Sequence, residues 1–133
     1  MSVAQSWQQC RTAQFSALSS ASGTVITVDG ELDAANSDQL AVYAAHRARH
    51  AGRVILDLRE LDFIGTAGFS ALHRINVVCS GAQVSWAMVP SPAVGRLLRV
   101  CDPDGTLPVT TPGDEPLLRH AARPLLQLVA QAR

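Results

Sequence analysis

A short apolar run near the middle of the chain most constrains what the chain folds into. Val54, Ile55 and Leu56 are all apolar and mostly β-branched, and the charged residues Arg53 and Asp57 flank them. Such a run is typical of a strand that is buried on both faces, as in a parallel sheet. We therefore expect it to form the central strand of a sheet.

A corner of small residues follows this strand and leads into a helix. Phe63 and Ile64 are expected to return the chain to the core, and residues 65–68 then make a tight turn. The next apolar side chains recur at the spacing of one helix face: Phe69, Leu72, Ile75 and Cys79. Because small side chains leave the start of this helix open, its free N–H groups are available to a partner or to an anion.

The hydrophobic pattern elsewhere alternates between strands and helices. Further strands are predicted at residues 12–18 (a sheet edge), 24–28, 83–89 and 107–110 (a second sheet edge). Further helices are predicted at residues 38–50, from Pro92 with Ser91 as its cap, and after Asp114 with an interruption at Pro124. Asn36 or Ser37 is expected to cap the first of these helices. The order predicts an α/β domain with a mixed sheet of about four or five strands and helices packed on it.

Length, charge and cysteine content exclude several classes of protein. The 133 residues argue for one domain, predicted at residues 12–133 behind a polar tail at residues 1–11. Eleven basic and eleven acidic side chains balance, whereas nucleic-acid-binding proteins usually carry a basic excess. No apolar run approaches the roughly 18–20 residues of a membrane span, and three cysteines do not make a disulfide framework. We expect a cytoplasmic protein that binds neither nucleic acid nor membrane directly.

Two short motifs carry a resemblance to a known family. Gly30-Glu31-Leu32-Asp33 ends one predicted strand, and Gly65-Thr66-Ala67-Gly68-Phe69-Ser70 opens the helix after the central strand. With both motifs in this order and at compatible spacing, the chain resembles the STAS domain family over roughly residues 12–112. That family is typified by bacterial anti-sigma factor antagonists. The resemblance implies the mixed α/β fold and a role in transcription regulation through protein binding.

The resemblance also implies a partner and a binding face. Antagonists of this family bind a serine-kinase-like anti-sigma factor, and this binding frees a sigma factor for transcription. The implied face joins the loop after the first motif to the corner of the second motif. Its residues are Asp33, Asn36, Ser37, Gly65, Thr66, Ala67, Gly68 and Phe69.

The chain departs from the family at the residue that the family uses for control. In such antagonists the partner kinase phosphorylates the second Ser or Thr of the corner motif, and that position is Ala67 here. The family's Asp at the start of the motif is replaced by Gly65. Thr66 is either a substitute phosphate acceptor or a helix-capping residue.

No pattern indicates catalysis, so we predict that the chain is not an enzyme. The sequence contains no HExxH, phosphate-loop or dinucleotide-binding motif, and no metal or cofactor is expected. Two interpretations stay open beside the antagonist. One is a nucleotide- or anion-sensing module that uses the helix start, and the other is a scaffold subunit of a sensory complex. A homodimer is compatible with each of them.

Two cysteines leave a further question open. Cys79 and Cys101 are each predicted near the end of a helix, and the two helices are expected to run side by side. They are either small buried apolar residues or a redox pair. In the second case, oxidation would tie the helices together and shift the corner at residues 65–68.

Overall fold

A mixed sheet with helices packed on it organises the chain. The computed structural model describes residues 4–10, 12–115 and 117. Its strands are β1 (Ala4–Cys10), β2 (Ala13–Ser20), β3 (Gly23–Leu32), β4 (Arg53–Asp57), β5 (Leu61–Ile64) and β6 (Ser85–Val89). Its helices are α1 (Ser37–Ala48), α2 (Thr66–Gly81) and α3 (Pro92–Cys101), and a 3-10 turn follows at Pro112–Asp114. The predicted α/β architecture with a mixed sheet is confirmed.

The strand order places the predicted central strand in the parallel half of the sheet. Along the sheet the order is β1-β2-β3-β4-β6, with β5 off this path and paired with β3. The neighbours β1, β2 and β3 are antiparallel. Strand β3 is parallel to both β4 and β5, and β4 is parallel to β6. Strand β2 lies along one side of β3. On the other side, β4 pairs with the first part of β3 and β5 pairs with its last part.

Strand β4 is buried on both faces, as its apolar run predicts. Val54 and Leu56 belong to the main core, which also contains the buried side chains of α1, α2 and α3. Ile55 points to the opposite face and packs in a smaller cluster with Val25, Ala87, Val89 and Leu117. The three described helices therefore share one face of the sheet, and Leu117 contributes to the cover of the other face.

Helix α3 begins where the sequence indicates. The Ser91 hydroxyl accepts a hydrogen bond from the Val94 N–H at 3.2 Å, and Pro92 stands at the first helical position. This cap satisfies a backbone donor that has no partner within the helix.

The predicted second sheet edge is a single parallel bridge, in which Val109 lies beside Met88 of β6.

The N-terminal part of the sheet differs from the prediction. Residues 4–10 lie in the expected polar tail, yet they form β1 and pair with residues 13–19 of β2. The predicted edge strand therefore lies inside the sheet, between β1 and β3. Backbone pairing across a short connection overrides the weak strand propensity of this polar sequence. The predicted final helix with its break at Pro124 lies outside the described residues, apart from its early residue Leu117.

Strand β3 runs further than predicted, and a glycine permits this. The strand predicted at residues 24–28 continues to Leu32. Gly30 has a φ of +97°, and a Cβ on it would lie 2.2 Å from the Thr12 carbonyl oxygen. Only glycine accommodates both this backbone conformation and this close approach. The strand therefore passes Thr12 and goes on to pair with β5.

A buried carboxylate ties the chain after the last bridge to β4. Arg53 donates to both Glu115 oxygens, through Nη2 to Oε1 and through Nε to Oε2 at 3.4 Å. The Leu117 N–H donates to Oε2 at 3.2 Å. The hydrogen bond from Arg53 is the main cause that holds the pKa of Glu115 below its ordinary value, against the opposing effect of burial.

We expect Glu115→Gln to lower the free energy of unfolding by about 1–3 kcal/mol at pH 7, because it removes charge-assisted hydrogen bonds. A carboxyl group with a lowered pKa in the folded protein stabilises it fully above the ordinary glutamate pKa of about 4.3. This contribution is lost as the pH falls through the lower folded-state pKa. Urea unfolding between pH 7 and pH 3 should therefore show the two proteins converging in acid.

Asp114→Asn is the matched control, because Asp114 is exposed and precedes the same segment. Its free energy of unfolding should stay close to that of the original protein. Equal stability of Glu115→Gln and the original protein at pH 7 would contradict the assigned role of the carboxylate.

Candidate functional site

The two sequence motifs meet at the ends of two neighbouring parallel strands. Leu32 at the end of β3 pairs with Ile64 at the end of β5. The Gly65 N–H donates to the Leu32 carbonyl at 3.0 Å, which extends this pairing by one residue. Both chains then leave the sheet at the same edge, one toward α1 and the other toward α2. The expected proximity of the two loops is therefore present.

Hydrogen bonds within the first loop fix its shape. The Asp33 N–H donates to Asn36 Oδ1 at 2.9 Å, and Asn36 Nδ2 donates to the Glu31 carbonyl at 2.9 Å. The Ser37 hydroxyl donates to the Asp33 carbonyl at 2.5 Å, and the Ala35 N–H donates to Asp33 Oδ1 at 2.9 Å. Asn36 stands at the N-cap of α1, but its side chain makes no capping hydrogen bond. Its amide instead holds the loop to the end of β3.

The second loop is short because α2 packs closely against the strand ends. Gly65 is the N-cap of α2, and no side chain caps this helix start. A Cβ on Gly68 would lie 2.5 Å from Ile64 Cγ1 and 3.2 Å from Leu32 Cδ2. Contacts this short would force the helix away from the sheet. Gly68 thus sets the distance between α2 and the paired strand ends.

Solvent exposure separates the predicted site residues into two groups. Asn36, Ser37 and Gly68 are buried, so they shape the loops from within. Residues that are exposed or half-exposed at the two loops form what we call the two-loop face. They are Asp33, Ala34, Ala35, Gly65, Thr66, Ala67 and Phe69. Ala34 and Ala35 lie within the predicted loop but are not among its predicted contact residues, since nothing in a pair of alanines distinguishes a contact residue from a spacer.

A surface ion pair links the start of α1 to the middle of α2. Arg74 Nη1 of α2 donates to Asp38 Oδ1 of α1 at 2.6 Å, and both side chains are at least half-exposed. An exposed ion pair of this kind contributes roughly 0–1 kcal/mol to stability. Its main effect is therefore to engage the Arg74 guanidinium, rather than to hold the helices together.

The chemistry of the two-loop face suits contact better than bond making. Its side chains are methyl groups, the Thr66 hydroxyl, the Phe69 ring and the Asp33 carboxylate. Within the described ranges, no group of three or more His, Cys, Asp or Glu is arranged to hold a metal ion. Among the residues that the structure describes, no helix is long and apolar enough to cross a membrane.

Cys79 and Cys101 are free thiols. Cys79 lies in the main core, and burial raises the pKa of its thiol, which lowers the fraction present as reactive thiolate. Cys101 is half-buried at the end of α3. The burial of Cys79 favours the interpretation as a small apolar core residue, while a redox pair of Cys79 with Cys101 stays a prediction.

Comparison with known sequences agrees with the two motifs. Residues 15–110 match the sequence profile of the STAS domain. Osmosensory protein A of Mycobacterium tuberculosis (strain ATCC 25618 / H37Rv) is 41% identical over 71 residues. That alignment covers 53% of this chain and 45% of the relative, so the chain matches less than half of the relative's length.

Comparison with solved structures shows the same fold in two anti-sigma factor antagonists. One, from Mycobacterium paratuberculosis, has a TM-score of 0.61 at 17% identity, with 91% of this chain and 95% of that chain covered. The other, SpoIIAA in its unphosphorylated form, has a TM-score of 0.58 at 15% identity. It covers 81% of this chain and 89% of its own. At these identities the likeness concerns the fold alone.

We expect Gly68→Ala to lower the free energy of unfolding by about 1–3 kcal/mol, because the added methyl group overpacks the contact with Ile64. Gly95→Ala is the matched control, since Gly95 lies inside α3 with no atom near its absent side chain. That change should raise stability by up to about 1 kcal/mol through helix propensity. Thermal unfolding measures both, and a Gly68→Ala protein as stable as Gly95→Ala would show that α2 does not need this close approach.

Proposed function

Because the chain belongs to the STAS domain family, we propose that it acts as an anti-sigma factor antagonist. In this proposal it binds a serine-kinase-like anti-sigma factor through the two-loop face and so frees a sigma factor for transcription. A cytoplasmic location and a binding role without catalysis are part of the same proposal. Osmotic stress is the first input signal to test, since one relative is described as an osmosensory protein.

The observation that carries the proposal is the alignment of the two motif loops at one sheet edge. The pairing of Leu32 with Ile64 holds the loops side by side, and internal hydrogen bonds fix the first loop. A face that is ordered before binding loses less conformational entropy when a partner docks. Its residues 34, 35, 65 and 67 are all glycine or alanine, so a partner can approach the backbone closely.

The electrostatic setting favours a protein contact over the anion-sensing alternative. The start of α2 carries a partial positive charge and free N–H groups, as an anion site requires. However, the basic side chain of Arg74 lies in the middle of α2, away from its start, and is engaged by Asp38. The Asp33 carboxylate on the neighbouring loop adds negative charge. An anion at this helix start would meet repulsion from that carboxylate.

We expect Thr66→Arg to weaken binding of the kinase-like anti-sigma factor by roughly tenfold or more, because a long charged side chain would separate the two surfaces. Thr66 is exposed at the first turn of α2, so the substitution should leave the fold unchanged. Titration calorimetry with the purified anti-sigma factor encoded in the same genome measures the affinity.

Ser80→Arg is the control, since Ser80 is exposed near the opposite end of the same helix. Its affinity for the anti-sigma factor should match that of the original protein. Unchanged affinity in Thr66→Arg would remove the two-loop face from the proposal. Equal losses in both variants would indicate a general charge effect instead.

Because Ala67 has no hydroxyl, we expect the partner's kinase activity to leave the usual acceptor position unmodified. Thr66 is the remaining hydroxyl at residues 65–68, and its exposed side chain does not cap α2. A phosphate there would add about −1.5 to −2 charges to the face and weaken docking by repulsion and desolvation. We expect phosphopeptide mass spectrometry, after incubation with the anti-sigma factor and ATP, to place any phosphate of this face on Thr66.

Thr66→Val is the matched variant, because it keeps the shape of the side chain and removes the hydroxyl. Phosphate that persists on the protein after this change would point to an acceptor elsewhere in the chain. A protein that stays unmodified under all conditions would make binding constitutive and place control at another step.

A further inference from the structure

A large aromatic side chain is exposed directly beside the two-loop face. Phe63 of β5 is 50% exposed, whereas the sequence predicts that it returns to the core. The other large apolar side chains exposed among the described residues are valines: Val42, Val77, Val100 and Val109. A Cβ on Gly65 would lie 3.7 Å from Cε2 of Phe63, so the ring borders the corner itself. Phe63 thus extends the two-loop face with an apolar surface.

An irregularity in the sheet turns this ring outward. Between the first two pairs of β5 with β3, β3 advances one residue, from Gly30 to Glu31. Strand β5 advances two residues over the same step, from Leu61 to Phe63, which leaves Asp62 as an extra residue. A strictly alternating strand with Leu61 inside would place Phe63 inside and Ile64 outside. The bulge instead buries Ile64 and directs Phe63 to solvent.

Two acidic residues flank the exposed ring, one across the sheet and one along the chain. Glu31 is the register partner of Phe63 on β3, so the two side chains share one face of the sheet, and Asp62 precedes the ring. Both carboxylates are exposed, and neither takes part in an ion pair found within the described residues. Arg59 in the preceding loop directs its guanidinium to Asp57, with Nε and Nη2 each 2.9 Å from a carboxylate oxygen. The ring therefore has an acidic rim.

We propose that Phe63 is the apolar anchor of the contact made by the two-loop face, and that the partner presents an apolar recess rimmed by arginine or lysine. The inference rests on the proposed function, since it describes the chemistry of the anti-sigma factor surface that docks here. A buried aromatic anchor surrounded by a polar rim is the usual arrangement of a binding hot spot. The rim carboxylates match basic side chains and speed encounter with them.

The experiment measures binding of the purified kinase-like anti-sigma factor to Phe63→Ala, Thr66→Arg and the original protein. We expect Phe63→Ala to weaken affinity by roughly 10- to 100-fold, mainly through faster dissociation. Val100→Ala is the control, because it removes an 80% exposed apolar side chain near the end of α3. It should leave affinity within about twofold, and thermal unfolding checks that each variant is folded.

The charged rim is tested in the same assay by Glu31→Gln combined with Asp62→Asn. We expect the association rate at low salt to fall several-fold and to lose much of its salt dependence, since long-range attraction to a basic surface is removed. Asp104→Asn, in an exposed turn after α3, is the control and should leave the association rate unchanged. A rate that rises when the two carboxylates are neutralised would exclude a basic partner surface.

The outcomes separate this inference from the proposed function. Loss of affinity in both Phe63→Ala and Thr66→Arg supports both. Loss in Thr66→Arg with unchanged affinity in Phe63→Ala overturns the anchor and leaves the proposed function in place. If the original protein binds no kinase-like anti-sigma factor of its genome, the proposed function falls, and the inference falls with it. A dimer that Phe63→Ala converts to a monomer, without change in partner affinity, would show that a second copy covers the ring.

Discussion

The pairing of β3 with β5 is the constraint on which the candidate site depends. Strand β3 carries β4 along its first half and β5 along its second half, on the same side. This arrangement is available because β3 is long and because Gly30 lets it pass Thr12. The last pair of that ladder, Leu32 with Ile64, brings two loops together that are about thirty residues apart in the sequence. Parallel strands end at one edge, so the helices that follow also start there.

The same pairing explains why the buried site residues are small or amide-bearing. Only Gly65 separates Ile64 from helix α2, so the first turn of the helix crosses the strand ends with no room for a side chain at Gly68. Loop residues 33–36 leave β3 with backbone groups that the sheet no longer satisfies, and the Asn36 amide supplies a donor and an acceptor to them. These residues act on the face through the backbone they hold, while the exposed residues make up its surface.

The parts of the fold that could be predicted from the sequence carry local signals. The apolar run of β4 and the Ser91-Pro92 start of α3 each contain the physical reason for their structure within a few residues. Strand β1 carries no such signal, because its pairing with β2 depends on backbone groups that every residue has. The sequence likewise contains no local signal for the bulge at Asp62, because the bulge follows from the burial of both Leu61 and Ile64. The positions of the two site loops were therefore predictable, but the directions of Asn36 and Phe63 were not.

Under the proposed function, the methyl group of Ala67 changes how binding at the two-loop face can be controlled. An acceptor hydroxyl lets a kinase set occupancy by adding charge, whereas a methyl group leaves occupancy to concentration and affinity. Under the proposed function, affinity at this face would come from apolar contact at Phe63 and close backbone approach at residues 65–67. Neither term depends strongly on ionic strength, since salt screens mainly exposed charges such as Glu31 and Asp62. The arrangement would thus keep dissociation slow when ionic conditions change, while the association rate, and the affinity with it, responds to salt.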